Sequence, residues 1–244
     1  MDTSLQFYWE LYNEYYSNEQ IVHKSFNPLR DYEEEFIDGP ILDIGCGQSN
    51  FLIEYSITNR DIYAIDNEKY QLEKLHQRIL DYTPNNIRNI NLLNITLPNE
   101  ELPDARFALI ILSNILHFFE MADCVKIIDQ LEKRTLPGSL VYVCVHSTKY
   151  YMNDPENPDN NEYFKHYFSQ QDLDTLFRAG IFERIYSADI QRKESMIERS
   201  IVDKWIDKNL DHEKITNKKR RAEIKADYLN NQSEADIVCI YRKK

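Results

Sequence analysis

From residue 40 onward, apolar and polar positions follow two alternating rhythms. Short apolar runs predict strands at 40–45 (PILDIG), 61–65 (DIYAI, ending at Asp66), 87–95, 107–112 (FALIIL), 139–146 (SLVYVCVH), 182–190 and 236–242 (DIVCIYR). The run 107–112 is apolar enough for both of its faces to be covered. Helical spacing separates the runs. It predicts helices over 50–57, over 68–80 with Leu72, Leu75, Ile79 and Leu80 on one face, and over 119–134, closed by a Pro137-Gly138 turn. Ser169 and Asp172 form a capping-box start for a helix running to Ala179, with Gly180 in the C′ place. Strands alternating with helices mean an α/β fold with a mostly parallel sheet and helices on both faces. Ligands in such sheets sit at the carboxyl ends of the strands.

Two flanking regions follow another pattern. Residues 1–37 read as one or two helices, with Leu5, Tyr8, Trp9, Tyr12, Tyr15 and Tyr16 on one aromatic face. That face suits core packing or a lid over a ligand, with Tyr12 as the contact. Residues 193–232 are charged and helical, with Met196, Ile197, Ile201, Trp205 and Ile206 at helical spacing. The expected organisation is a single domain over 1–244, with a helical N-terminal lid or extension (1–37) and a helical insertion before the last strand (193–232). The basic run KKRR at 218–221 sits among acids and reads as a solvated helical face.

The net charge of -12 repels phosphate backbones, so nucleic acid is a poor partner. Cys46, Cys124, Cys144 and Cys239 form no Cys-x-x-Cys pair, and no residues stand at metal-ligand spacing. Buried thiols and no metal are expected. No apolar run approaches about 18 residues, and the N-terminus lacks a basic start with an apolar stretch. A cytoplasmic protein without a membrane span is expected.

The chemistry gathers at ILDIGCGQSN, residues 41–50. Gly45 and Gly47 permit a sharp turn after the first strand and a close backbone approach to a ligand. The next helix offers free N–H groups. A dinucleotide would place its pyrophosphate there, but Asp43 would repel it and Asn50 stands where the third fingerprint glycine belongs. S-Adenosyl-L-methionine carries an ammonium and a sulfonium instead of phosphate, which suits Asp43. Asp66, 23 positions after Asp43, ends the second strand where an acid accepts from ribose hydroxyls.

With these residues, the chain resembles the class I S-adenosylmethionine-dependent methyltransferases. ILDIGCGQS is similar to their first motif and YAID (63–66) to their second. LLNITLP (92–98), DARFALIILSNILHFF (104–119) and LPGSLVYVCV (136–145) are similar to their later segments. The resemblance covers about residues 40–190 and the last strand. It implies a Rossmann-like seven-stranded sheet with its last strand antiparallel. It also implies that Asp43, Gly45 and Gly47 line the methionine end, that Asp66 and Asn67 hold the ribose, that Asn94 and Ile95 meet the adenine, and that Ser113 lies beneath the methionine portion. Ser49 stands in place of a glycine, Asn94 in place of a common acid, and Ala108 in place of an acid before the fourth strand.

His117 follows the fourth strand, where an acceptor would approach. It is a candidate general base or an interior polar residue. His146, Tyr150 and Tyr151 follow the fifth strand and are candidate substrate contacts. The expected activity is methyl transfer to a small-molecule acceptor by a monomer or homodimer. The alternatives are an RNA or protein methyltransferase and a non-catalytic cofactor-binding or scaffold protein.

Overall fold

The computed structural model describes residues 3–17, 27–83, 89–193, 196–230 and 233–244. The helices are α1 (Thr3–Ser17), α2 (Asn50–Tyr55), α3 (Lys69–Tyr82), α4 (Met121–Arg134), α5 (Gln170–Leu176), α6 (Met196–His212) and α7 (Lys218–Asn230). The strands are β1 (Ile41–Ile44), β2 (Ile62–Asp66), β3 (Ile90–Asn94), β4 (Phe107–Ser113), β5 (Thr135–His146), β6 (Phe182–Lys193) and β7 (Ser233–Lys243). The chain divides into two compact units. One is Met1–His23 with Gln191–Glu234, and the other is Lys24–Ile190 with Ala235–Lys244.

The larger unit holds the seven-stranded sheet, in the order β3-β2-β1-β4-β5-β7-β6. β1 pairs in parallel with β2 and β4, β2 with β3, and β4 with β5. β7 runs antiparallel to β5. Strand order reverses between β1 and β4, which opens a crevice at the carboxyl edge. The central strands are apolar because both faces are covered. Phe107 through Leu112 are each 0% exposed. Each large side chain buried there contributes about 1.5–3 kcal/mol. α4 sends Cys124, Ile127, Ile128 and Leu131 into the same core at the expected helical spacing.

Three local expectations are corrected. The Pro137-Gly138 turn does not close α4. Thr135 already pairs with Phe107, and the register then slips so that Leu109 meets Leu140, which folds 136–139 into a bulge of β5. Gly180 is not the C′ residue of α5, because the helix ends at Leu176 with Phe177 as its cap. The Ser169–Asp172 capping box forms as expected. On α3, Gln71 joins Leu72, Leu75 and Ile79 on the buried face, while Leu80 is only half-buried. Residues 84–88, where the third strand was expected to begin, lie outside the described residues.

The smaller unit is helical. α1 packs on α6, and Trp205 Nε1 donates to Ser4 O over 2.8 Å. Leu11, Ile201, Ile206 and Leu210 form its buried centre, whereas Met196, expected on the packed face, is 88% exposed. Part of the basic run is neutralised within the unit. Arg221 pairs with Asp207 and Asp211, and Lys225 pairs with Asp203 and Asp207. Among the described residues, no helix is long and apolar enough to cross a membrane.

Candidate active site

β1 ends in a loop with two left-handed glycines, Gly45 at φ +62° and Gly47 at φ +49°. Their surroundings differ. A Cβ at Gly45 would lie 2.4 Å from the side chain of Ile115, whereas nothing lies within 4 Å of one at Gly47. The close approach expected at Gly45 is therefore made by the turn after β4. Gly47 is the position open to a ligand.

Asp66, at the end of β2, braces this loop. Its Oδ2 accepts from Gly47 N–H over 2.9 Å and its Oδ1 accepts from Glu68 N–H over 2.8 Å. The sequence reading did not foresee the bond to Gly47. Each oxygen keeps a further lone pair for a hydroxyl. Burial raises the Asp66 pKa, and the bonds from the Glu68 and Gly47 amides oppose that rise. The carbonyl of Asp66 gathers its neighbours: Asn94 Nδ2 donates to it over 3.0 Å and Ile95 N–H over 3.2 Å. The exposed Asn94 amide is thereby oriented, with Oδ1 left as an acceptor. Asn67 is exposed beside Asp66, and Ser113 is half-buried at the end of β4.

Asp43 sits deeper than its sequence position suggested. It is 2% exposed, and Ser49 Oγ donates to its Oδ2 over 2.5 Å. Burial raises its pKa to about 7, with a smaller contribution from Asp66; the Ser49 hydroxyl works the other way. Ser49 also caps α2, accepting from Leu52 N–H over 3.2 Å, at φ -34°. The position therefore has no need of a glycine, and serine links the buried acid to the helix start. Ala108 is fully buried, and its Cβ lies 3.0 Å from where a Cβ on Gly39 would stand, so the alanine closes the space beside that glycine.

Sequence reasoning missed a clamp beneath the turn. Arg78 of α3 donates to Gln48 O and, over 2.9 Å, to Asn50 Oδ1. The buried Gln48 donates to Gln71 over 3.1 Å. The only signal in the sequence was a polar Gln71 on the otherwise apolar face of α3.

The turn after β4 and the end of β5 carry rings instead of acids. His117 is 1% exposed, and its Nδ1 accepts from His146 N–H over 3.3 Å. Burial and the neighbouring His146 hold its pKa well below the ordinary histidine value, so it stays neutral. That bond occupies the Nδ1 lone pair and leaves the proton on Nε2. The His146 ring stacks on His117 at 3.8 Å and on Tyr150 at 3.9 Å, with Phe164 edge-on at 4.7 Å. Tyr151 packs on Tyr150 at 4.9 Å. Asp236 of β7, missed in the sequence, bonds to His146 Nδ1 over 2.8 Å. Tyr12 belongs to the helical unit, where its ring lies 5.2 Å from that of Trp9. Among the described residues, no group of three or more His, Cys, Asp or Glu could hold a metal ion.

The strand order, with a braced glycine turn at the switch point, is a class I, Rossmann-like architecture of the methyltransferase type. Residues 42–141 match the family model described as a methyltransferase domain. Solved structures agree in fold. TehB from Haemophilus influenzae is 14% identical with a TM-score of 0.60, over 96% of this chain and 66% of that one. Coclaurine N-methyltransferase bound to N-methylheliamine and SAH is 14% identical with a TM-score of 0.59, over 100% and 89%. A SAM-dependent methyltransferase from Methanosarcina mazei is 15% identical with a TM-score of 0.59, over 89% and 98%. A search of curated protein sequences finds no match.

Proposed function

We propose that the chain is an S-adenosylmethionine-dependent methyltransferase acting on a small-molecule acceptor. The observation that carries this reading is the bond from Gly47 N–H to Asp66 Oδ2, with open space over Gly47, inside the segment matched by the methyltransferase family. It fixes an acid beside an accessible backbone turn before any ligand arrives. The remaining Asp66 lone pairs suit ribose hydroxyls, Asn94 Oδ1 suits an amino group on adenine, and Ile95 offers an apolar face. Gly47 leaves room at the methionine end, and Asp43 supplies negative charge from below. The donor, when bound, supplies a methyl carbon made electrophilic by its sulfonium. The chain's own residues orient the two reactants and exclude water. The net charge of -12 favours a small acceptor over RNA. Coclaurine N-methyltransferase, which shares the fold, was solved with a small molecule bound.

Calorimetry of the full chain with S-adenosylmethionine, its demethylated product and NAD tests the reading. The first two should bind and NAD should not. Binding of NAD alone would overturn it. Binding to RNA that weakens steeply with salt would favour an RNA methyltransferase. Donor binding without labelled methyl transfer to any component of a cell extract would favour the non-catalytic alternative.

A further inference from the structure

We propose that His146 and Asp236 form a proton-accepting dyad, with His146 Nε2 the atom that takes the proton from the methyl acceptor. This rests on the methyltransferase reading and names the residue that would serve it. The two residues face each other in register across the β5–β7 ladder, and Nδ1 lies 2.8 Å from Oδ1. The Asp236 side chain is 1% exposed and the His146 side chain 12%. A carboxylate buried so deeply needs a hydrogen-bonded partner, and Nδ1–H of His146 supplies it. With that proton held on Nδ1, the lone pair of the neutral ring is on Nε2.

The ring cannot turn away easily. It is sandwiched between His117 and Tyr150 at 3.8 and 3.9 Å and bordered by Phe164. His117 binds the backbone N–H of His146 while staying neutral, so it positions the ring without adding positive charge. The titratable groups around the ring are His117 from the turn after β4, Asp236 from β7, and Tyr150, Tyr151 and Tyr167 from the segment after β5. Burial raises the Tyr167 pKa, which keeps that phenol protonated. The dyad is tied to the glycine turn by short links. Ile115 fills the space over Gly45, and Asn114 N–H donates to Cys144 O over 2.9 Å, two residues before His146.

The step balances. The lone pair of the acceptor heteroatom forms the bond to the methyl carbon of the donor. The carbon–sulfur pair stays with sulfur, giving a neutral thioether. The acceptor's proton passes to Nε2, and the resulting imidazolium is paired with Asp236.

Imidazole ¹⁵N NMR of the full chain, with His146 assigned from the His146→Gln spectrum, tests the dyad without any acceptor. The Nδ1–H tautomer is expected in the parent, and Asp236→Leu, which removes the acceptor, should shift the ring toward the Nε2–H tautomer. The Nε2–H tautomer in the parent, or a tautomer unchanged by Asp236→Leu, would overturn the dyad. In a second arm, labelled S-adenosylmethionine is incubated with the low-molecular-weight fraction of a cell extract. His146→Gln should lower transfer about 100-fold or more while donor affinity by calorimetry stays within about twofold. Parental transfer by that variant would overturn the role of Nε2. A parent chain that binds no donor removes the underlying reading and this inference together. Donor binding with the wrong tautomer sinks the dyad alone.

Discussion

The two halves of the carboxyl edge are built from different materials. Over β1, β2 and β3 the groups are acids, amides and glycines, fixed by directed hydrogen bonds to backbone and side-chain partners. Over β4, β5 and β7 they are aromatic and imidazole rings, fixed by stacking on one another and by one carboxylate. The first half holds small polar groups at set points, because a backbone amide has one direction. The second half offers flat, partly apolar walls, which restrict the shape of an occupant more than its hydrogen-bonding groups.

The largest test of the contrast concerns the two glycines. Gly45→Ala should destabilise the chain by about 3 kcal/mol in denaturant unfolding, because its Cβ would overlap Ile115, which joins the halves. Gly47→Ala should cost only about 1 kcal/mol, from its positive φ, with the loss appearing mainly in donor affinity. Equal losses of stability would erase the distinction drawn between them.

Next in size is Asp66→Asn. It removes a charged acceptor from two backbone amides and, under the proposed function, from the ribose, so calorimetry should read a loss of about 10- to 100-fold in donor affinity. Smaller again is the effect of pH on the buried acid of β1. Asp43, with its pKa at about 7, must be ionised to favour a cationic ligand. Donor affinity should therefore weaken by up to about tenfold per pH unit below that midpoint, and Asp43→Asn should flatten the dependence. Stability carries the opposite sign. The folded state holds this proton more tightly than the unfolded state, so the acid is penalised progressively as pH rises from about 4 to about 7. Asp43→Asn should raise the neutral-pH Tm by about 4 °C. The smallest effect is expected at the exposed Lys218 and Lys219. Their replacement by Ser should change stability by less than about 0.5 kcal/mol and leave donor affinity unaltered.

Legibility in the sequence followed the same boundary. The half over β1, β2 and β3 was readable because backbone geometry demands particular residue types at fixed spacing. Gly47 needs a positive φ, and Asp66 must end a strand. Asp43 was found but misjudged in depth, since burial of a carboxylate depends on Ser49 and on strands far along the chain. Asp236 left no mark, because an aspartate entering a last strand looks like any solvated one until the register of β7 sets it opposite His146. The helix-to-strand passage at Thr135 was lost to Pro137-Gly138, a pair that serves a bulge as readily as a turn.

β7 lies between β5 and β6, yet it is made after both. A growing chain that has reached residue 232 therefore carries an open slot in its sheet, with one flank of β5 unpaired and prone to sticking to other chains. His146 spends that interval without its carboxylate. The ring-lined half of the edge is complete only when the final strand slides home, so under the proposed dyad assembly and competence would arrive in one event.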